Sequence, residues 1–188
     1  ALPVGLAGRF RELTGAIPLE RYGMTEIGVG ASNPLDPALR RAGSVGPALP
    51  SVEARIVGDD GADASAGPGE LLIRGPSVFA GYHGREEATR AAFRDGWFAT
   101  GDVAERAPDG YLRLLGRTSV DILKSGGYKL SALEIEEVLR AIPGVREVAV
   151  VGLPDATWGE RVVAAIVPAP GHADACSADA VRGFCRDR

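Results

Sequence analysis

Catalysis by a nucleophile needs a Ser, Cys or Thr beside a base, and this sequence offers little material for one. Its histidines are His83 and His172, so a Ser–His or Cys–His pair has few candidates. The cysteines, Cys176 and Cys185, are not spaced as CxxC, and no His or carboxylate cluster frames them. They are expected as reduced thiols on one helix face, not as metal ligands. Common nucleotide loops are missing as well. No G-x-x-x-x-G-K-[ST] run occurs, Gly28-Val29-Gly30 lacks the third glycine of a dinucleotide fingerprint, and Gly43-Ser44-Val45-Gly46 is not a G-x-S-x-G elbow. Each is read as turn glycine. The densest chemistry lies in Glu20-Arg21-Tyr22-Gly23-Met24-Thr25-Glu26, which gathers a ring, a hydroxyl and a carboxylate. Alone, that run also fits a capped turn carrying a surface Glu.

The elements that must hold these residues differ along the chain. Gly and Pro are dense through residues 28–84, which predicts short strands joined by tight turns. Residues 52–57 alternate apolar and charged, Asp59-Asp60-Gly61 turns, and 70–74 resumes as a strand. Residues 85–93 carry a short helical pattern. Strands over 97–106 and 111–117 flank Pro108-Asp109-Gly110, a hairpin signal. After Arg117 the texture changes. Ser131-Ala132-Leu133-Glu134 is a capping box. Ile135, Val138, Leu139 and Ile142 then follow one helical face up to Pro143-Gly144. β-Branched strands are predicted at 145–153 and 161–167, bridged by 154–160, with a second helix from Ser177. The order strand, helix, strand, strand, helix indicates a small α+β domain. There are no repeats and no low-complexity linker.

Composition sets the outer bounds. Apolar residues make up 45% and charged residues 24%, as in ordinary globular proteins, and 188 residues suffice for one domain with a small second one. With 21 Lys plus Arg against 25 Asp plus Glu, the net charge of −4 shows no basic surplus for nucleic acid. No apolar run approaches the roughly 18 residues of a membrane span. The first 15 residues lack a signal-peptide pattern, and the missing initiator Met is expected of a chain that begins elsewhere.

Y-G-M-T-E at Tyr22–Glu26 resembles a core motif of the adenylate-forming (AMP-binding) superfamily, which includes acyl-CoA synthetases, luciferases and peptide-synthetase adenylation domains. Further motifs follow in family order. Thr100-Gly101-Asp102 matches the T-G-D element. Gly116-Arg117, the run from Asp121 to Lys129 and Leu133-Glu134-Ile135-Glu136 match the G-R, glycine-loop and E-I-E block. The resemblance covers essentially the whole chain. Its finer form is similar to malonyl-CoA synthetases of the acyl-CoA synthetase family member 3 type, through R-Y-G-M-T-E-I-G, G-P-S-V-F, D-G-W-F-x-T-G-D, G-R-T-S-V-D-I-x-K-x-G-G-Y-K and T-W-G. The fold implied is α/β and α+β multidomain. Residues 1–117 would be the β-rich C-terminal part of the large domain, and 118–188 a truncated small α+β domain.

The resemblance implies ATP, Mg²⁺ and coenzyme A, acting on a small carboxylic acid such as malonate. Thr25 and Glu26 would be catalytic, Glu26 holding Mg²⁺ and Thr25 bonding the α-phosphate. Tyr22 would lie against the adenine, with Gly23 beside the nucleotide. Asp102 would accept both ribose hydroxyls, and Arg117 would bond ribose and phosphates. The plainer readings of these last two are a hairpin-end Asp and a surface ion pair. Gly126 and Gly127 would pass close to the pantetheine arm and Lys129 would meet CoA phosphate, although the glycines also fit a tight turn. Thr118-Ser119-Val120 before Asp121 is one residue longer than in many relatives, so the hinge residue stays open.

Three parts of the family's site are expected elsewhere in a longer protein: the phosphate loop and the acyl pocket upstream of Tyr22, and the adenylation lysine, since the only lysines are Lys124 and Lys129. The chain by itself is therefore expected to be inactive. The function implied is that of part of an acyl-CoA synthetase, with malonate as the acid. The alternatives are a fatty-acid or aryl-acid CoA ligase, or an inactive stand-alone module binding nucleotide or protein. No nucleic-acid partner is expected, and the compartment would be cytoplasmic by default or mitochondrial in a eukaryote.

Overall fold

Strand-forming alternation and Gly-rich turns dominate the first two-thirds of the chain, and the structure there is built from antiparallel hairpins. The computed structural model describes residues 2–64 and 67–186. It divides into two compact units, Ala1–Thr118 and Ser119–Arg188.

The first unit opens with helix α1 (Val4–Thr14), closed by Gly15 in the left-handed region. Strands β1 (Arg21–Met24) and β2 (Gly28–Ser32) pair antiparallel across the turn 25–27, with a register break between Tyr22 and Gly23. A larger sheet combines β3 (Glu53–Val57), β4 (Gly69–Arg74), β5 (Phe93–Arg94), β6 (Trp97–Arg106) and β7 (Leu112–Arg117), with the short helix α2 (Glu86–Ala92) leading into β5. Strand β6 is central. Phe98 pairs with both Ile73 and Phe93, and Ala104 with both Gly69 and Leu114, so β4 covers one edge of β6 while β5 and β7 share the other. The core between these elements contains Tyr22, Ile27, Val45, Ile56, Leu71, Ile73, Phe98 and Leu112. Phe79, Phe93 and Phe98 add mutual ring contacts with centroids 5.5 to 5.8 Å apart, within the range where aromatic quadrupoles attract.

The second unit starts with a hairpin of β8 (Ile122–Ser125) and β9 (Tyr128–Ser131). Helix α3 (Ala132–Arg140) follows directly, its first turn capped by Ser131 Oγ accepting from the Glu134 amide at 3.2 Å. Strands β10 (Val145–Asp155) and β11 (Gly159–Pro168) form a long hairpin in a sheet of order β10-β11-β8-β9. Helix α4 (Ala178–Arg186) lays Val181 and Phe184 on a core of Leu123, Leu139, Ile142 and Val150.

Several elements differ from their sequence-based expectation. The bridge predicted at 154–160 shrinks to residues 156–158, because Pro154 and Asp155 pair with Glu160 and Gly159. Proline is tolerated there because β10 is an edge strand, where no ladder donor is required on the outer side. Helix α3 ends at Arg140, before Pro143. The two cysteines do not share a helix: Cys176 closes a 3₁₀ turn, Asp174–Cys176, and Cys185 lies on α4. Both are free thiols. Among the described residues no helix is long and apolar enough to cross a membrane.

Candidate functional site

The run Glu20–Glu26 forms strand β1 and the turn into β2, a tight structure that depends on Gly23. A Cβ at that position would lie 2.1 Å from the Gly28 carbonyl oxygen, on the backbone of the paired strand. The turn is pinned by the Ile27 amide donating to Met24 O at 3.1 Å and the Phe79 amide donating to Glu26 O at 2.8 Å. Thr25 is thereby exposed and Glu26 half-buried at the tip.

Tyr22 faces the other way. Its ring belongs to the core at 6% exposure, and its hydroxyl donates to Asp102 Oδ2 at 2.7 Å across 80 residues of sequence. Asp102 stands on β6, opposite Arg117 in the β6–β7 pairing. The Arg117 Nε donates to the other carboxylate oxygen, Oδ1, at 2.9 Å. The Asp102 amide in turn donates to Thr100 Oγ1 at 3.1 Å, and the buried Thr100 hydroxyl donates to Leu71 O at 2.7 Å. One carboxylate is therefore held from its backbone and from both oxygens. An ionised carboxyl has about four acceptor positions, so each oxygen can still receive a further donor. Asp102 is 13% exposed and Arg117 50% exposed, which leaves that capacity within reach of solvent.

The electrostatics follow from this arrangement. Burial pushes the Tyr22 phenol well up from its ordinary value, with the neighbouring Asp102 charge adding to the rise and the Thr100 hydroxyl opposing it. Tyr22 is thus a permanent donor at neutral pH. The hydrogen bond from Arg117 to Asp102 raises the guanidinium further, and the Glu26 charge adds to that effect. Tyr22, Glu26, Asp102 and Arg117 are consequently brought together in one polar cluster.

Three residues of this cluster have no role assigned from the sequence. Thr100, although it stands in the T-G-D element, is one. Its signal is a hydroxyl on the same strand parity as the buried Phe98, where an inward polar group must find an acceptor. Tyr82 is another: its hydroxyl donates to Glu26 Oε1 at 3.0 Å, and burial followed by the bond to Glu26 raises its phenol. Thr89 accepts from the Tyr82 amide at 2.9 Å and so fixes the Tyr82 backbone. A Gly81-Tyr82 pair followed by a Thr seven residues after the Tyr is the trace these contacts leave in the sequence.

Among the described residues no group of three His, Cys, Asp or Glu side chains could hold a metal by itself. Mg²⁺ does not require one, because it takes one or two carboxylates and completes its octahedron with substrate phosphates and water. Glu26, half-buried at an open turn with its Oε1 oriented by Tyr82, fits that mode of binding.

In the second unit, Gly126 and Gly127 form the two-residue turn of the β8–β9 hairpin, with φ of 58° and 84°. Such a turn demands positive φ at both positions. The Trp158 ring covers Gly126 so closely that a Cβ there would meet it at 2.9 Å, and the Gly126 amide donates to Trp158 O at 2.9 Å. Trp158 and Thr157 are themselves placed by Asp155 Oδ1, which accepts both their amides at 3.1 and 2.9 Å. Lys129 is exposed and pairs directly opposite Lys124, placing both lysines of the sequence on one face of the hairpin.

Comparison with known proteins places this geometry among relatives. The family model described as AMP-binding enzyme matches residues 1–83, and that of the AMP-binding enzyme C-terminal domain matches residues 134–188. The mitochondrial malonate–CoA ligase ACSF3 of Mus musculus is 49% identical over 92% of this chain and 33% of its own length. The sulfoacetate–CoA ligase of Cupriavidus necator is 43% identical over 98% of this chain and 36% of its own. The crystal structure of ATP-bound MatB from Rhodopseudomonas palustris superposes with a TM-score of 0.92 at 38% identity, covering 100% of this chain and 37% of that one. The chain thus spans about a third of the length of the relatives it matches.

Proposed function

The chain belongs to the AMP-binding enzymes, and from that premise we propose that it is part of an ATP-dependent acyl-CoA synthetase that converts malonate to malonyl-CoA. In this reading the acid's carboxylate attacks the α-phosphorus of ATP, giving acyl-adenylate and pyrophosphate. The CoA thiol then attacks the acyl carbon and releases AMP. The observation that carries the reading is Asp102, a carboxylate fixed on both oxygens by Tyr22 and Arg117 in the same cluster as the Glu26 turn.

Asp102 accepts the ribose hydroxyls, which suits an acceptor-only group with positions to spare. Arg117 adds ribose and phosphate contacts through its fixed fork of donors. Tyr22 and Gly23 border the adenine side, and the exposed Thr25 hydroxyl donates to the α-phosphate. Glu26 would hold Mg²⁺, which when bound neutralises charge developing on the phosphates. In the second unit, Gly126 and Gly127 admit the pantetheine arm. Lys129 meets a CoA phosphate, with Lys124 facing it across the hairpin.

The acid is malonate because the mouse relative of 49% identity is a malonate–CoA ligase. The sulfoacetate ligase makes sulfoacetate the nearest competitor, another short acid with a second anionic group. The test is a carboxylate panel on the full-length protein, reading pyrophosphate exchange and CoA-thioester formation with malonate, sulfoacetate, acetate, octanoate and benzoate. Malonate should give the highest kcat/KM. Preference for octanoate or benzoate would move the protein to a different branch of the family. No exchange with any acid would favour a binding module. The 188-residue polypeptide alone should give no acyl-adenylate.

A further inference from the structure

We propose that Tyr22 is a positioning residue for nucleotide specificity: with Arg117 it clamps Asp102 so that productive binding depends on the ribose hydroxyls. The inference rests on the reading of Asp102 as the ribose acceptor, and goes beyond it by assigning the discrimination to a buried residue that touches the carboxylate.

A carboxylate can only accept, so at 2.7 Å the Tyr22 oxygen must be the donor. Bonds of this length to an ionised acceptor are the strong, charge-assisted kind. Arg117 Nε takes the other oxygen at 2.9 Å, and the Asp102 backbone is tied through Thr100 to Leu71. The carboxylate plane is therefore fixed before any nucleotide arrives. The raised Tyr22 phenol stays protonated throughout the working pH range, so the clamp does not loosen on titration. Each oxygen keeps acceptor capacity beyond the donor it already holds, and both are already polarised. A ligand that brings two neighbouring hydroxyls satisfies them together. One that lacks a hydroxyl leaves an oriented, partly desolvated acceptor unpaired, which costs more than the same loss at a mobile carboxylate in water. Without the Tyr22 hydroxyl, Asp102 keeps its charge but gains freedom about its last torsion. Selectivity should then fall.

The test compares ATP, 2′-deoxyATP and 3′-deoxyATP as substrates of the full-length enzyme carrying Tyr22→Phe, Asp102→Ala or both. Y22F should lower kcat/KM for ATP by about 10-fold, the scale of a lost hydrogen bond to a charged group, mainly through KM. The same substitution should change kcat/KM for each deoxynucleotide by no more than about 2-fold if the hydroxyl contacts carry the effect. The ratio of ATP to deoxyATP should therefore collapse in Y22F, and Y22F added to D102A should cause no further loss. A merely structural role would lower all three nucleotides alike and add fully to D102A, and that result overturns the proposal. If D102A leaves the ATP-to-deoxyATP ratio of the wild type unchanged, the ribose reading itself is wrong and the proposal falls with it. If D102A abolishes the ratio but Y22F does not, the ribose reading stands and the clamp fails. Each ratio is internal to one variant, so it is independent of the folded fraction. Should Y22F not fold, Arg117→Lys, which keeps the charge but loses the Nε donor, reads the other arm of the clamp by the same ratio.

Discussion

Replacing Gly23 by alanine tests whether the hairpin that carries Tyr22, Thr25 and Glu26 is built to a fixed strand separation. The added Cβ would sit 2.1 Å from the Gly28 carbonyl oxygen and 3.1 Å from both the Gly28 carbonyl carbon and the Val29 Cα. These are backbone atoms of the partner strand, so no side-chain rotation relieves the overlap. Restoring an ordinary contact near 3.4 Å requires the strands to part by about 1.3 Å at this point. Overpacking of this kind costs about 1–3 kcal/mol in stability. The functional cost should be larger. Tyr22 precedes the displaced residue and Glu26 follows it, so their geometry to Asp102 and Tyr82 cannot both survive, and a misplacement of about 1 Å can cost roughly 100-fold in rate. The assay is kcat/KM for ATP in the full-length enzyme, with thermal denaturation run in parallel. Gly8→Ala in α1 is the matched control. Its Cβ would meet nothing within 4 Å, so it should leave activity unchanged and stabilise the helix by about 0.5–1 kcal/mol. A G23A enzyme within twofold of wild type would refute the argument that this glycine holds the site.

Two stability predictions follow from other local features. The Tyr22 phenol is raised in the folded state, chiefly by burial. Its contribution is therefore fully present below the unfolded value near 10 and is lost as pH rises through that value toward the folded one. Urea denaturation from pH 8 to 11 should show wild type losing stability relative to Y22F above about pH 10, by up to roughly 1.4 kcal/mol per pH unit. Parallel pH profiles for the two proteins would contradict it. In the second unit, Ser131→Ala removes the acceptor for the Glu134 amide at the start of α3 and should cost about 1 kcal/mol by denaturant titration, whereas Ser131→Gly should cost only about a few tenths. A loss below about 0.3 kcal/mol for S131A would mean that the cap hydrogen bond is not what Ser131 supplies.

The hairpins β3–β4 and β6–β7 were legible because residues 52–57 alternate apolar and charged and Asp-Gly turn signals stand at 60–61 and 109–110. Gly110 at the second of these adopts φ of 90° and donates to Ala107 O at 2.8 Å, as the turn signal requires. Helix α3 was legible from Ser131 and Glu134. Helix α1 was not, because Gly5 and Gly8 dilute its pattern and the residue before it, Pro3, offers no side-chain cap. The β8–β9 hairpin was read as a glycine loop because each strand has only four residues, too few to show a period. The polar cluster was legible as a set of motifs but not as a set of contacts. Nothing in the local sequence of Tyr22 announces a bond to a residue 80 positions away, and an aromatic residue in such a motif reads more naturally as a stacking face than as a buried donor.

Backbone irregularity explains both the site and the limit on reading it. Pairing breaks register between Tyr22 and Gly23 in β1 and between Val103 and Ala104 in β6, the two strands that supply Tyr22 and Asp102. Between Thr100 and Asp102 stands Gly101, at φ of 74°, whose carbonyl accepts from the Thr118 amide at 2.9 Å. Bulges re-aim side chains away from the direction that strict alternation would give them. A regular pleat would hold Asp102 by its neighbours on the same face alone. Arg117 meets the carboxylate as the direct partner of Asp102 in the β6–β7 pairing, Thr100 from two residues before it, and Tyr22 from a separate sheet. Period-two reasoning finds the strands because most residues obey it, and it misses the cluster because the contacts join strands far apart in sequence.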